Sequence, residues 1–206
     1  MNPSVDALRA TFGNAIGRAA VARDGETVVY VRADGLRDVM QWLRDTPGQA
    51  YHYLVDVTAV EHRDRELPLE VVYFLRSLDR RADLRVKVEL DADADLTVDS
   101  VTPLWSGANW LEREVFDLFG ITFRGHPDLR RILMWETYAE GHPLRKDFPL
   151  RGRFSRAEQV RQALAANPEA HYSLEELSIA DAQDDLPPDM KERLQRGERG
   201  KLSRDE

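Results

Sequence analysis

Three acids and an arginine, Glu112, Arg113, Glu114 and Asp117, fall within six residues of a segment otherwise built from Trp110, Leu111, Val115, Phe116, Leu118 and Phe119. Two carboxylates can share acid–base work only when both face one substrate. At about 100° per helical residue, Glu112 and Glu114 point roughly 160° apart and cannot form such a pair. Glu114 and Asp117 lie only about 60° apart, so with His126 they are what a small-substrate hydrolase could use. Such a site would still need a nucleophile or a metal, and nothing nearby supplies one. Glu112 and Glu114 are each flanked by large apolar side chains. An unpaired buried carboxylate costs several kcal/mol, so each is expected to meet a cation or several N–H donors. Arg113 and Asp117, four residues apart, can pair locally for ~0.3–0.5 kcal/mol. The acids therefore have three uses open to them: catalysis, tying down the chain's own arginines, or docking to another chain.

The wider sequence narrows the chemistry. Cysteine is absent, which removes disulfides, thiol catalysis and cysteine-held iron–sulfur clusters within the chain. The five histidines stand at 52, 62, 126, 142 and 171 and form no HExxH or other dense ligand cluster, so no metal site is expected. A net charge of −8 argues against a nucleic-acid partner bound through overall positive charge. No apolar run reaches the ~20 residues of a membrane span. The first residues lack a basic stretch followed by an apolar one, so no signal peptide is expected. Of the 29 basic residues only four are lysine; arginine favours bidentate contacts with carboxylates, although coding bias alone gives the same excess.

The elements that must position these residues are legible from periodicity. Asn2 before Pro3 reads as a helix start. Val5, Leu8, Phe12, Ile16 and Ala19 then extend one amphipathic helix over 3–20. Residues 27–31 read as a strand, and Leu36, Val39, Met40 and Leu43 as a second helix. Three strands follow. Residues 51–60 and 69–75 are apolar on both faces, as central strands are, and 84–90 alternate, giving one wet face. A short helical turn is expected at 98–104. Ser106 should cap a helix over 107–119, with Gly120 as its stop. The expected class is α+β: a mostly antiparallel four-stranded sheet with helices packed on one face, followed by an extended C-terminal arm. The apolar arc of the 107–119 helix spans about two-thirds of its circumference, so cover on a second side is expected.

Past residue 121 the periodicity stops. Residues 122–153 hold three prolines and read as an arm beyond a 1–121 core domain. Residues 124–153 carry seven basic and four acidic side chains, between two acidic parts of the chain. The arm contains an echo, Gly125-His126-Pro127-Asp128-Leu129-Arg130-Arg131 against Gly141-His142-Pro143-Leu144-Arg145-Lys146. Each copy offers a kinked Gly-His-Pro, a leucine and two cations, which suits a repeated docking element. Residues 154–206 read as a short helix to Ala166, begun by a Ser155/Glu158 capping box, and a charged tail expected to be disordered.

Several of these stretches together resemble a known family. Glu112-Arg113-Glu114, Asp117-Leu118-Phe119-Gly120-Ile121 and His126-Pro127-Asp128-Leu129-Arg130-Arg131-Ile132-Leu133 resemble the signature of the 30-kDa-type subunit of respiratory complex I, found in bacterial NADH–quinone oxidoreductases. The segments 104–111 and 141–150 also look like that family. The resemblance is strong over 100–150, and the preceding region is compatible in order and length. It implies a non-catalytic peripheral-arm subunit of a proton-translocating enzyme, with no redox centre of its own. Iron–sulfur clusters, FMN, NADH and quinone would belong to partner subunits. The implied partners are the hydrogenase-like large subunit that borders the quinone site, the small subunit with the terminal iron–sulfur cluster, and other peripheral-arm subunits. The implied location is the cytoplasmic face of the bacterial inner membrane, held there through the complex. The docking positions that carry over are Glu112, Arg113, Glu114, Asp117, His126, Arg130, Arg131, His142, Arg145 and Lys146. An equivalent subunit of a membrane-bound hydrogenase or another quinone oxidoreductase is the near alternative, and a free hydrolase using Glu114, Asp117 and His126 the distant one.

Overall fold

The computed structural model describes residues 2–92, 95–150 and 152–166. The chain divides into one compact unit, Met1–Ser155, and a second beginning at Arg156. The described part of the second is one helix, Arg156–Ala166, in the segment where the sequence suggests one. The charged tail from 181 lies outside the described residues.

The first unit is built on α1 (Ser4–Phe12), β1 (Ile16–Val21), β2 (Thr27–Val31), α2 (Leu36–Asp45), β3 (Tyr53–Glu61), β4 (Leu69–Ser77), β5 (Ala82–Leu90), β6 (Thr97–Asp99), α3 (Ala108–Phe119) and β7 (Thr122–Arg124). The main sheet has five strands in the order β1-β2-β5-β4-β3, where the sequence suggests four. The additional strand comes from the end of the expected first helix. Asn2 does start that helix, its side-chain oxygen accepting the Ser4 N–H at 3.0 Å. Gly13, at φ +50°, then ends it and turns the chain into β1. Ile16 and Ala19 keep helical spacing from Val5 and Leu8 by coincidence, since a short apolar run suits both periods.

Pairing is mixed. β1–β2, β3–β4 and β4–β5 are antiparallel, but β2 and β5 run parallel. β3, expected at the centre because both faces are apolar, is an edge strand. Its Val57 and Ala59 are buried while Tyr53 and Val60 are exposed. β6 and β7 form a separate parallel pair matching Val98 to Phe123, where the sequence suggests a helical turn. That turn comes just after, with the Leu104 and Trp105 N–H groups both donating to the Val101 carbonyl.

One sheet face is the core. Val71, Tyr73 and Leu75 on β4 lie opposite Val88, Val86 and Leu84 on β5. Val5 and Leu8 of α1, Val39, Met40 and Leu43 of α2, and Val115 and Phe119 of α3 join the same cluster. Each such buried side chain contributes roughly 1.5–3 kcal/mol of transfer free energy.

The opposite face is charged and organised around a fully buried acid, Glu70. Lys87 Nζ donates to it at 2.8 Å, Arg65 donates to its other oxygen, and His62 Nε2 stands 3.2 Å away. Burial alone would raise its pKa, but these hydrogen bonds and cations outweigh that and lower it to about 2. A depressed carboxylate stabilises the fold above its unfolded value and loses that contribution as pH falls through the folded value. Glu70→Gln should therefore remove on the order of 3 kcal/mol at pH 7 and much less near pH 2. Denaturant titrations of both chains at the two pH values measure this; a penalty that does not shrink with acid contradicts it.

Candidate functional site

The charged residues of α3 converge on two loops. α3 ends at Gly120, whose φ of +77° and N–H to the Phe116 carbonyl make a left-handed stop. Its start is capped through the backbone, Asn109 N–H to the Ser106 carbonyl, and the Ser106 side chain makes no capping bond. β6 and β7 set the segment before α3 beside the start of the arm, with the Ser100 N–H donating to the Arg124 carbonyl.

Glu112 is fully buried and reaches the segment before the helix. It accepts the Val101 N–H at 2.7 Å, the Ser100 hydroxyl at 2.6 Å and the Thr102 hydroxyl at 3.2 Å. Its partners are donors of the same fold, with no cation among them. Burial raises its pKa, partly offset by those three bonds.

Asp117, also fully buried, faces the arm. Its Oδ2 accepts three consecutive arm N–H groups, Ile132 at 3.0 Å and Leu133 and Met134 at 2.8 Å. Its Oδ1 accepts Arg131 at 2.6 Å, and Arg131 also donates to the Gly141 carbonyl at 3.0 Å. Burial would raise this pKa, but the Met134 N–H, Arg131 and the other two N–H groups outweigh it and lower it. Arg113 completes the clamp. Its guanidinium donates to the Arg130 and Arg131 carbonyls at 3.1 and 2.9 Å and lies 5.2 Å from the Trp110 ring centre. The local Arg113–Asp117 pair allowed by spacing is not used: each charge binds the arm instead.

Both halves of the Gly-His-Pro echo return to α3. His126 Nε2 donates to the Asn109 carbonyl at 3.2 Å while its Nδ1 accepts the Asp128 N–H. His142 Nδ1 donates to the Asp117 carbonyl at 2.9 Å, and its ring covers Gly120. Leu144 N–H donates to the Leu118 carbonyl at 3.0 Å. Arg145 lies between Glu61 and Asp147 at 3.6 and 3.7 Å, and the Lys146 N–H donates to Glu61 at 2.7 Å. Arg130 is exposed and meets Asp128. Glu114 is exposed too, correcting the expectation that apolar flanks would bury it. Those flanks open outward: Trp110 is 58% exposed.

Sequence reasoning missed several parts. Ser100 and Thr102 as donors to Glu112, and Glu61 and Glu140 as arm anchors, gave no periodic or motif signal. Glu140, nearly buried, accepts the Arg153 and Phe154 N–H groups. Glu114, Asp117 and His126 are not brought to one cleft, because Asp117 is enclosed by the arm and Glu114 faces solvent. No cluster of three or more His, Asp or Glu suited to a metal occurs among the described residues.

Known proteins share this arrangement's sequence. A family model described as the respiratory-chain NADH dehydrogenase 30 Kd subunit matches residues 29–154. The chain belongs to this family. Among its relatives, an NADH-quinone oxidoreductase subunit of the C type from Citrifermentans bemidjiense is 43% identical over 151 residues, 73% of this chain and 91% of that one. Its counterpart in Roseiflexus sp. (strain RS-1) is 47% identical over 146 residues, 71% of this chain and 82% of that one. A solved trypsin-resistant fragment of Nqo5 has a TM-score of 0.53 at 29% identity, covering 61% of this chain and 96% of the fragment. A chain of the archaeal membrane-bound sulfane sulfur reductase shares the fold at a TM-score of 0.60 and 23% identity, over 71% of this chain and 84% of that one. The α3 clamp and both copies of the arm echo fall within the family match.

Proposed function

We propose that this chain is a peripheral subunit of a proton-translocating NADH:quinone oxidoreductase, holding neighbouring subunits together and carrying no redox or catalytic group itself. The observation that carries this is the use made of the signature charges. Glu112, Arg113, Asp117, His126, Arg131 and His142 are consumed in fixing a loop and an arm of the same chain. That leaves no cluster of them facing a substrate, and it bonds the arm to its own α3 at 126, 131–134 and 142–144. An arm bonded in this way loses less conformational entropy on binding than a free one. Glu114, Arg130 and Lys146 remain outward for partner contact. The partners are the large subunit that borders the quinone site, the small subunit with the terminal iron–sulfur cluster, and other peripheral-arm subunits, which hold the iron–sulfur clusters, FMN, NADH and quinone. The absence of cysteine fits this division. No helix among the described residues is long and apolar enough to cross a membrane, so attachment at the cytoplasmic face would run through the complex.

A tagged full-length chain recovered from gently solubilised membranes should bring iron–sulfur and quinone-binding subunits with it; recovery of none overturns the reading. In the same experiment Arg130→Ala should reduce recovery while leaving the chain's melting temperature within about 1 °C, since an exposed pair contributes little to stability.

A further inference from the structure

The arm covers only one side of α3. Arg113 and Asp117 face it, while Trp110, Glu114 and Leu118 follow one another at four-residue steps on the adjoining side. Trp110 is 58% exposed, and Leu111 and Leu118 are half-buried with their backs on the core. At the Leu118 end the Leu144 N–H donates to the Leu118 carbonyl, which brings a second leucine, 48% exposed, to that end of the helix. The row is therefore apolar with one acid at its centre. Glu114 meets no cation among the described residues: Arg113 is committed to two arm carbonyls and Arg130 to Asp128.

Resting on the docking role above, we propose that the Trp110–Glu114–Leu118 row receives a segment of a different subunit that presents a lysine or arginine framed by apolar side chains. Charge complementarity decides the occupant. A second copy of this chain on the same row would set Glu114 against Glu114 in either direction, because Glu114 stands midway between Trp110 and Leu118. A purely apolar segment would desolvate the Glu114 carboxylate with nothing to neutralise it. A cation inside an apolar frame satisfies both parts of the row, and an aromatic at its edge gives an anchor of the kind that dominates interface energetics.

The test uses the full chain in the assembled complex. Glu114→Lys and Trp110→Ala should each cut recovery of partner subunits with the tagged chain by about tenfold or more. Glu114→Lys should leave the melting temperature of the purified chain unchanged and so carries the test, whereas Trp110→Ala also loses the ring contact with Arg113 and should melt slightly lower. A photoreactive phenylalanine at position 110, activated in the complex, should join to a peptide of another subunit that has Lys or Arg beside apolar residues. A crosslink to this chain itself, or to a peptide without a cation, overturns the proposal. So does undiminished recovery with Glu114→Lys while the unaltered chain still brings its partners, a result that leaves the docking role standing. If the unaltered chain brings no partner, both fail together.

Discussion

Asp117→Ala is expected to destabilise the full chain by about 3–5 kcal/mol and to release the arm, as removing one partner of a buried ion pair does. The variant leaves the Arg131 guanidinium, 14% exposed, without its carboxylate and three consecutive N–H groups without an acceptor. Unmade bonds of that kind each cost far more than a made bond contributes. The effect should appear as a lower melting temperature together with protease cleavage within 131–145. Asp117→Asn keeps the shape and one acceptor oxygen, so it should lie between the two. Arg131→Ala should reproduce much of the loss, and the double variant should be only slightly worse than either, because the two act as one unit. The pH sign follows from the lowered pKa of Asp117. Its contribution is complete above the unfolded carboxylate value and fades as pH falls through the depressed folded value. An Asp117→Ala chain that melts like the parent and resists protease equally would mean that this carboxylate does not hold the arm.

Gly120→Ala is expected to cost about 3 kcal/mol, from two sources whose sizes can be separated. The residue sits at φ +77°, where a side chain costs roughly 1–2 kcal/mol. A Cβ there would also lie 2.6 Å from His142 Cδ2 and 2.7 Å from its Nε2. The ring cannot withdraw freely: its Nδ1 bonds the Asp117 carbonyl and its edge packs on Phe116 at a 6.2 Å centroid distance. Gly125→Ala supplies the control, since Gly125 has a similar φ of +81° but open space where the Cβ would go. Denaturant unfolding should show Gly125→Ala losing only the conformational part. Equal losses at the two positions would show that the His142 contact carries no cost.

These two glycines illustrate how far the sequence reaches. Gly120 after Phe119 marks the end of α3 from sequence alone, because the helical run stops there and glycine tolerates the left-handed turn. That His142, 22 residues later, closes over it depends on the path of a proline-rich arm with no period to follow. The wheel angles of Glu112, Glu114 and Asp117 were equally legible, and they correctly separate the two glutamates. They say nothing of what stands at each angle. The donors around Glu112 come from a loop aligned by the β6–β7 pair, and Glu114 opens to solvent between its apolar flanks.

The same division runs through the sheet. Alternation in 84–90 determined the buried and wet faces of β5, since a period of two leaves one assignment. The motif spacing from Glu112 to Leu133, with cysteine absent, determined the family resemblance and excluded cysteine-held redox centres in the chain. Tertiary structure decided that 16–21 leaves the helix for an edge strand, that β2 and β5 run parallel, and that β3 is not central. It also decided that the arm folds back on α3. Each of these depends on which distant surface a segment meets, and local periodicity records how a segment is buried without recording by what.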